Sequence, residues 1–191
     1  MKNHLLLLIF IFVGISCSKS PKIIDNLGDQ SFNLINQDSV TVTFPDDYKG
    51  RFIVMGFIYT NCPDICPLIT QNLIRVQKDL DYPDDVQFLA ISFDPKRDTP
   101  TVLKDFKRVY DLDKNFDFLT GNPDEVSALM DSVRVRTQIS MSTTTESGRE
   151  IYFLNHSDKI MVVDKKSRVI FEYGGSMTKP KYIVEDLNSV R

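Results

Sequence analysis

The sequence has no cluster of basic residues and no hydrophobic run long enough to cross a membrane. Its 23 lysines and arginines are scattered among 26 acidic residues, and the formal net charge is −3, so it lacks the basic face that binds nucleic acid. The apolar run at residues 5–13 has nine residues, whereas a transmembrane helix needs about 20. The sequence also lacks long internal repeats, and its 191 residues are best interpreted as one domain with one core.

The first sixteen residues have the pattern of a secretory signal. Lys2 supplies a basic start, the apolar run at residues 5–13 follows, and small residues lead to Cys17. Because Cys17 follows Gly-Ile-Ser, this segment resembles a bacterial lipobox, and we predict cleavage before Cys17 and acylation on it. Residues 1–16 are then a lipoprotein signal peptide, residues 17–30 a tether and residues 31–191 the folded domain. The protein is expected in the bacterial cell envelope, anchored to the membrane by lipid and facing the periplasm; a soluble secreted protein is the alternative.

Apart from the predicted anchor Cys17, the mature chain has two cysteines, and they lie at a predicted strand-to-helix turn. Residues 51–59 are rich in β-branched and aromatic residues and predict a buried strand, and apolar residues recur at helical spacing over 68–80. Cys62 and Cys66 are four residues apart, so their sulfurs can point to the same side. A helix N-terminus favours the thiolate, which exchanges disulfides or binds metal.

The surroundings of Cys62 and Cys66 and the compartment they reach both bear on their role. Buried cysteines without a chemical role are common, but the proline and aspartate residues around this pair predict an exposed turn. Export places the pair in an oxidising compartment. A free dithiol there requires a reductant or a bound metal.

The remaining pattern alternates strands with helices. Further strands are predicted at 32–36, 40–44, 86–93, 116–119, 159–164 and 168–173, and helices at 100–112, 122–133 and 181–190. The polar segment 140–148 is predicted to be a hairpin tip or a mobile loop. A right-handed crossover between the strands at 51–59 and 86–93 brings the cysteine turn and the turn at 94–100 to one edge of the sheet.

This layout looks like the thioredoxin fold. It predicts an α/β protein with a central mixed β-sheet flanked by helices. An N-terminal β-hairpin precedes the central strands, and a second hairpin is inserted before His156.

Three separated motifs resemble the Sco/SenC family. They are FIYTNCPDICP at residues 57–67, ISFDPKRDTP at residues 91–100 and NHS at residues 155–157. The similarity runs from about residue 32 to the C-terminus. It implies a thioredoxin-like fold and a membrane-anchored copper protein that helps to assemble the binuclear copper (Cu-A) centre of cytochrome c oxidase.

The resemblance also implies the metal ligands. They are Cys62, Cys66 and His156, holding one copper ion per chain as Cu(I) or Cu(II), while Asn155 stands where family members often have Asp. His156 is the only histidine of the mature chain, because His4 lies in the signal segment. A surface histidine without a ligand role is the usual explanation for a single His, but in a thioredoxin-like sheet this loop faces the cysteine turn. Two thiolates and one imidazole suit copper, whereas a structural zinc site normally has four ligands.

We therefore predict a copper-binding chaperone that delivers copper to the Cu-A centre or reduces its thiols. The expected partners are the copper-accepting subunit of cytochrome c oxidase, together with a periplasmic thiol reductant or another copper chaperone. An enzyme in the ordinary sense is not expected. One alternative is a periplasmic thiol-disulfide oxidoreductase that uses Cys62 and Cys66 as its redox-active pair without metal. A thiol peroxidase is the least favoured, since such enzymes have Thr three residues before the reactive cysteine and this chain has Tyr59.

The role of the second motif is left open by the sequence. Asp94, Arg97 and Asp98 are predicted to form an ion-pair turn beside the site or a partner-docking surface. A capped helix start, with Thr99 as the N-cap, is an equally good explanation.

Overall fold

The computed structural model describes residues 21–112, 114–148 and 150–191, and its main feature is an eight-stranded sheet. The signal segment and Cys17 lie outside the described residues. The strands are β1 (Asp25–Asn26), β2 (Phe32–Asn36), β3 (Thr41–Phe44), β4 (Phe52–Ile58), β5 (Val86–Ser92), β6 (Phe116–Gly121), β7 (Thr137–Thr144), β8 (Glu150–His156), β9 (Ile160–Val163) and β10 (Arg168–Tyr173). The helices are α1 (Ile65–Asp79), α2 (Pro100–Val109), α3 (Pro123–Ser132) and α4 (Pro180–Val190), with a 3-10 helix at Asp46–Tyr48. Among the residues described, no helix has the length and apolar character needed to cross a membrane.

The sheet is mixed, as the sequence predicts. Its strand order is β1-β10-β9-β4-β5-β6-β2-β3, with β4, β5 and β6 parallel to one another and the other pairs antiparallel. Every residue of β4 and β5 is buried, which explains their unbroken apolar sequences. Because β4 and β5 are parallel, their carboxyl ends meet at one edge, and the cysteine turn and the turn at 94–99 follow from that edge.

Helix α1 packs closely against β4, and this contact positions the cysteine turn. A Cβ atom on Gly56 would lie 2.7 Å from Cγ2 of Ile69 and 3.1 Å from Cδ1 of Leu73. The absence of a side chain at Gly56 therefore lets the helix approach the strand. Cys66, in the first turn of α1, is held against the end of β4 as a result.

The predicted helix starts are confirmed at two side-chain caps. The hydroxyl of Thr99 accepts the backbone N–H of Val102 at the start of α2. The side chain of Asn122 accepts the N–H of Asp124 at the start of α3. Both helices carry proline at their first position, where no N–H is needed.

The hairpin that the sequence predicts before His156 is present, and its strands β7 and β8 form a separate two-stranded sheet. The segment 140–148 was expected to be a tip or a loop, but β7 continues to Thr144, and His156 is the last residue of β8. Every residue of β7 is exposed. Only Ile139 and Met141 alternate with polar residues in this strand, and an alternation this short does not distinguish a strand from a polar loop.

The sheet also begins earlier than residue 31. Asp25 and Asn26, in the segment predicted as a tether, pair with β10, and Leu27 is fully buried. This strand has two polar residues and carries no hydrophobic pattern. The pairing adds β1 at the edge of the sheet.

Candidate metal centre

Three side chains from two distant parts of the chain converge at the carboxyl edge of the sheet. The Sγ atoms of Cys62 and Cys66 and a ring nitrogen of His156 all lie within 4.8 Å of one another. The distance from Cys66 Sγ to His156 Nε2 is 3.3 Å. Within the described part of the chain, this is the one group of three His, Cys, Asp or Glu residues close enough to hold a metal ion.

The backbone directs amide hydrogens at both sulfurs. The N–H of Cys66 points at Cys62 Sγ at 3.5 Å, and the N–H of Tyr59 points at Cys66 Sγ at 3.4 Å. Asp64, the residue before α1, makes no side-chain cap. The N–H of Cys66, in the first turn of the helix, is thus free to donate to Cys62, and the N–H of Tyr59, just after β4, donates to Cys66.

The two cysteines differ in their accessibility. Both are free thiols; Cys62 is 9% exposed and Cys66 only 1%. Burial raises the pKa of the Cys66 thiol, and the neighbouring sulfur of Cys62 acts in the same direction. Cys62 is therefore the sulfur that an incoming group meets first, and Cys66 is the inner one.

His156 presents a defined nitrogen to the sulfurs. Its Nδ1 lies 2.9 Å from the carbonyl oxygen of Ser157, so Nδ1 carries the proton and donates to that oxygen, which leaves the Nε2 lone pair facing Cys66. Burial lowers the pKa of His156 and favours the neutral ring. The side chain of Asn155 is exposed, and the carbonyl oxygen of Ser157 alone accounts for the orientation of the ring.

Aromatic side chains enclose the imidazole. The ring of Phe93 lies 4.6 Å from that of His156, centroid to centroid, and Tyr59 meets it edge-on at 6.0 Å. The hydroxyl of Tyr59 accepts the backbone N–H of Leu154 at 3.2 Å. Tyr59 therefore links the strand that precedes the cysteines to the hairpin that carries the histidine, a role that the sequence did not reveal.

The second motif forms an ion-pair turn rather than an exposed docking surface. Arg97 pairs with the buried carboxylate of Asp94, and its guanidinium lies 3.5 Å from the ring centroid of Tyr152. Arg97 also donates to the carbonyl oxygen of Tyr152 at 2.7 Å, and the Tyr152 hydroxyl donates to Asp94 at 2.7 Å. These bonds hold the hairpin against the turn that follows β5.

Asp98 belongs to the same turn but contacts the cysteine side. Its carboxylate accepts the N–H of Thr60 at 3.0 Å, the Thr60 hydroxyl at 2.5 Å and the Ser92 hydroxyl at 2.6 Å. Thr60 lies two residues before Cys62. The carboxylate therefore fixes the chain just before the first cysteine.

Two cavities meet at His156. One, of about 340 Å³, lies between the cysteine turn and the hairpin and is lined by Cys62, Asp64 and Phe153 among others. The other, of about 820 Å³, lies between α3 and the hairpin. The smaller cavity gives a direct approach to Cys62.

Known proteins resemble this chain in sequence and in fold. A family model described as SCO1/SenC matches residues 23–190. The SCO1 protein homolog of Bacillus subtilis is 37% identical over 116 residues, which cover 60% of this chain and 60% of that protein. The structure of Bradyrhizobium japonicum ScoI with copper bound is 28% identical, with a TM-score of 0.66, over 85% of this chain and 98% of that one. A SCO1/SenC family lipoprotein from Bacillus anthracis is 28% identical, with a TM-score of 0.71, over 90% and 98%. The predicted thioredoxin-like fold is confirmed.

Proposed function

The chain belongs to the SCO1/SenC family, and on that premise we propose that it binds one copper ion through Cys62, Cys66 and His156. The copper is cargo for the Cu-A centre of cytochrome c oxidase, and the chain delivers it or reduces the acceptor's thiols. The observation that carries the proposal is the convergence of two sulfurs and one imidazole nitrogen within 4.8 Å. Copper-bound ScoI of Bradyrhizobium japonicum supports the choice of metal.

The donor set fits copper in both oxidation states. Two thiolates satisfy Cu(I), and the imidazole nitrogen adds the harder donor that suits Cu(II). His156 is held as the tautomer that presents Nε2. A site with three protein ligands leaves room for a further ligand, as a metal that must be handed on requires.

Delivery proceeds by exchange of ligands at one copper ion. An acceptor thiolate enters through the cavity beside Cys62, the more accessible sulfur, and binds the copper as the Cys62 thiolate leaves it. Cys66 and His156 are then replaced in the same way. The copper keeps its oxidation state, and each sulfur that leaves takes up a proton.

Two exposed apolar side chains lie on or beside α1, the helix that carries Cys66. Leu68, in the first turn of α1, and Met177 are both exposed. Asn72, one turn after Leu68, donates to the carbonyl oxygen of Gly175 at 2.7 Å, which holds the segment carrying Met177 beside α1. Exposed apolar groups next to a functional site are typical of protein docking surfaces. The adaptable methionine side chain suits such a contact.

Thiol reduction is the second candidate, and the same pair of sulfurs favours it. Cys62 as a thiolate attacks an acceptor disulfide and forms a mixed disulfide, and Cys66 then attacks Cys62. The acceptor leaves as a dithiol with two electrons and two protons gained, and Cys62 and Cys66 form a disulfide. The N–H of Cys66, which lies 3.5 Å from Cys62 Sγ, stabilises the attacking thiolate.

The anchor completes the proposal. Acylation of Cys17 would hold the domain at the outer face of the bacterial inner membrane, where it meets a membrane-bound oxidase. The likeness to the SCO1/SenC lipoprotein of Bacillus anthracis supports this placement.

Copper stoichiometry of the reduced protein tests the proposal. We expect one copper ion per chain for the wild type, with a Cu(II)-thiolate absorption band, and neither Cu(I) nor Cu(II) binding after Cys62→Ser or Cys66→Ser. An insulin-reduction assay on the same samples tests the metal-free alternative. Robust insulin reduction that is unaffected by His156→Ala, in a protein that binds no copper, would contradict copper delivery.

A further inference from the structure

Asp98 is a fully buried carboxylate with no cationic partner among the described residues. Its exposed fraction is 0%, and the nearest cation in sequence, Arg97, pairs with Asp94 instead. The groups that contact its oxygens are the amide and hydroxyl of Thr60 and the hydroxyl of Ser92, which are all neutral. A buried charge without an opposite charge is costly, so the position of this carboxylate requires a reason.

Burial raises the pKa of Asp98, and the hydrogen bonds that its carboxylate accepts oppose this effect by favouring the charged form. The Thr60 N–H can only donate. The oxygen of Ser92 already accepts the N–H of Asp94 at 3.0 Å, so the hydroxyl proton of Ser92 is directed at Asp98. A carboxylate that accepts several such bonds is stabilised in its charged form.

Two successive amides connect this carboxylate to the metal centre. The N–H of Tyr59 points at Cys66 Sγ at 3.4 Å, and the N–H of the next residue, Thr60, points at Asp98 at 3.0 Å. The amide that contacts the sulfur of Cys66 and the amide that contacts the carboxylate of Asp98 are thus consecutive in the chain.

We propose that Asp98 determines the oxidation state in which the bound copper is held, by favouring Cu(II) over Cu(I). The inference rests on the proposed function. With two thiolates and a neutral imidazole, the Cu(I) centre has a net charge of −1 and the Cu(II) centre a net charge of 0. A neighbouring negative charge destabilises the first more than the second. Asp98 therefore acts as a positioning residue for the chain before Cys62 and as a fixed charge that makes the one-electron reduction of Cu(II) harder.

The expected size of the effect follows from one unit of charge. At an effective dielectric constant suited to protein sites, removing the charge of Asp98 should raise the affinity for Cu(I) relative to that for Cu(II) about tenfold. For a one-electron couple this corresponds to a midpoint potential higher by about 59 mV. A role limited to positioning would not require a shift in this direction.

The test is a redox titration of the copper-loaded, full-length protein with a mediator couple as electron donor, monitored by the Cu(II)-thiolate absorption. Asp98→Asn should raise the midpoint potential by about 59 mV. Asp98→Glu keeps the charge and should leave the midpoint near the wild-type value. Thr60→Val is the matched control, since it removes one hydrogen bond to the carboxylate but not the charge. Circular dichroism verifies the fold, and Asp98→Ser replaces Asp98→Asn if that variant does not fold.

Each outcome has a distinct meaning. An unchanged midpoint in copper-loaded Asp98→Asn would overturn the inference and leave the proposed function intact. Equal shifts of the midpoint potential in Thr60→Val and Asp98→Asn would show that geometry, not charge, is responsible. A shift of about 59 mV in Asp98→Glu would also contradict the role of charge. A wild-type protein that binds no copper would remove the proposed function and this inference together.

Discussion

The Nε2 atom of His156 lies 3.3 Å from the sulfur of Cys66, although ninety residues separate the two in the chain. Cys66 belongs to the first turn of α1, against the eight-stranded sheet, and His156 ends β8 in the two-stranded sheet. Their contact is the point at which the two sheets form one metal centre. Substitutions on either side of this contact test the metal centre.

Replacing the imidazole should separate the two oxidation states of copper. His156→Ala should keep much of its Cu(I) binding, because two thiolates remain, but should lose the Cu(II)-thiolate band and more than about tenfold of Cu(II) affinity. Absorption spectra and competition titrations measure both quantities. Asn155→Ala, at an exposed neighbouring position, is the control. A band of full intensity in His156→Ala would remove His156 from the site.

The two thiols of the metal-free protein should react at different rates. Cys62 is the more exposed, whereas Cys66 is almost fully buried and burial raises its pKa. Limited iodoacetamide at pH 8 should therefore modify Cys62 first. The Cys66→Ser variant, which keeps Cys62, should react faster than the Cys62→Ser variant, which keeps only the buried Cys66. Mass spectrometry of tryptic peptides locates the label, and bound copper should protect both residues. Preferential labelling of Cys66 would reverse the proposed order of the sulfurs.

The histidine should remain a ligand below its usual pKa. Burial lowers the pKa of His156 from 6.5, so the ring stays neutral at pH 6.5 and somewhat below. We expect the Cu(II)-thiolate band to persist as the pH falls through 6.5 and to disappear only at lower pH. The metal-free protein should lose stability from pH 6.5 down through the folded-state pKa, since the unfolded chain binds the proton more readily. His156→Ala should lack this part of the pH dependence of stability.

Adding a methyl group between β4 and α1 should lower the stability of the fold. Gly56→Ala places a Cβ 2.7 Å from Ile69, and overpacking of this kind costs about 1–3 kcal/mol of unfolding free energy. Gly174→Ala is the matched control, because its nearest neighbouring atom would be 4.0 Å away. Urea unfolding of both variants measures the difference. Equal stability of the two would show that β4 and α1 can separate without cost.

The lipid anchor is tested by one substitution. Cys17→Ser should release the protein from the membrane fraction, because a bacterial lipoprotein is retained by the acyl chains on that residue. Fractionation of cells that express each form, followed by immunoblotting, measures the distribution. A variant that stays in the membrane fraction would indicate an uncleaved N-terminal anchor.

How much of this structure the sequence predicts depends on whether a signal is local. The buried strands β4 and β5 follow from their unbroken apolar runs, and the caps Thr99 and Asn122 follow from residues only a few positions apart. Strand β7 extends further into the predicted hairpin tip than the sequence indicates, because it is exposed along its whole length and only Ile139 and Met141 alternate with polar residues.

The sequence predicts the centre unevenly. The spacing of Cys62 and Cys66 indicates that their sulfurs converge, whereas the addition of His156 depends on the family resemblance and on the expectation that, in a thioredoxin-like sheet, its loop faces the cysteine turn. The bond between Thr60 and Asp98 spans 38 residues, and no pattern within either motif indicates it. Such pairs depend on how the turns after β4 and β5 are brought together by the parallel sheet.

The separation of the ligands along the chain has a thermodynamic consequence. A copper ion bonded to both Cys66 and His156 would join parts of the chain that are ninety residues apart and that only the folded state holds together. Copper that binds the folded chain and not the unfolded one stabilises the fold by mass action. The protein would therefore resist unfolding most while it carries its cargo and would be least stable immediately after delivery.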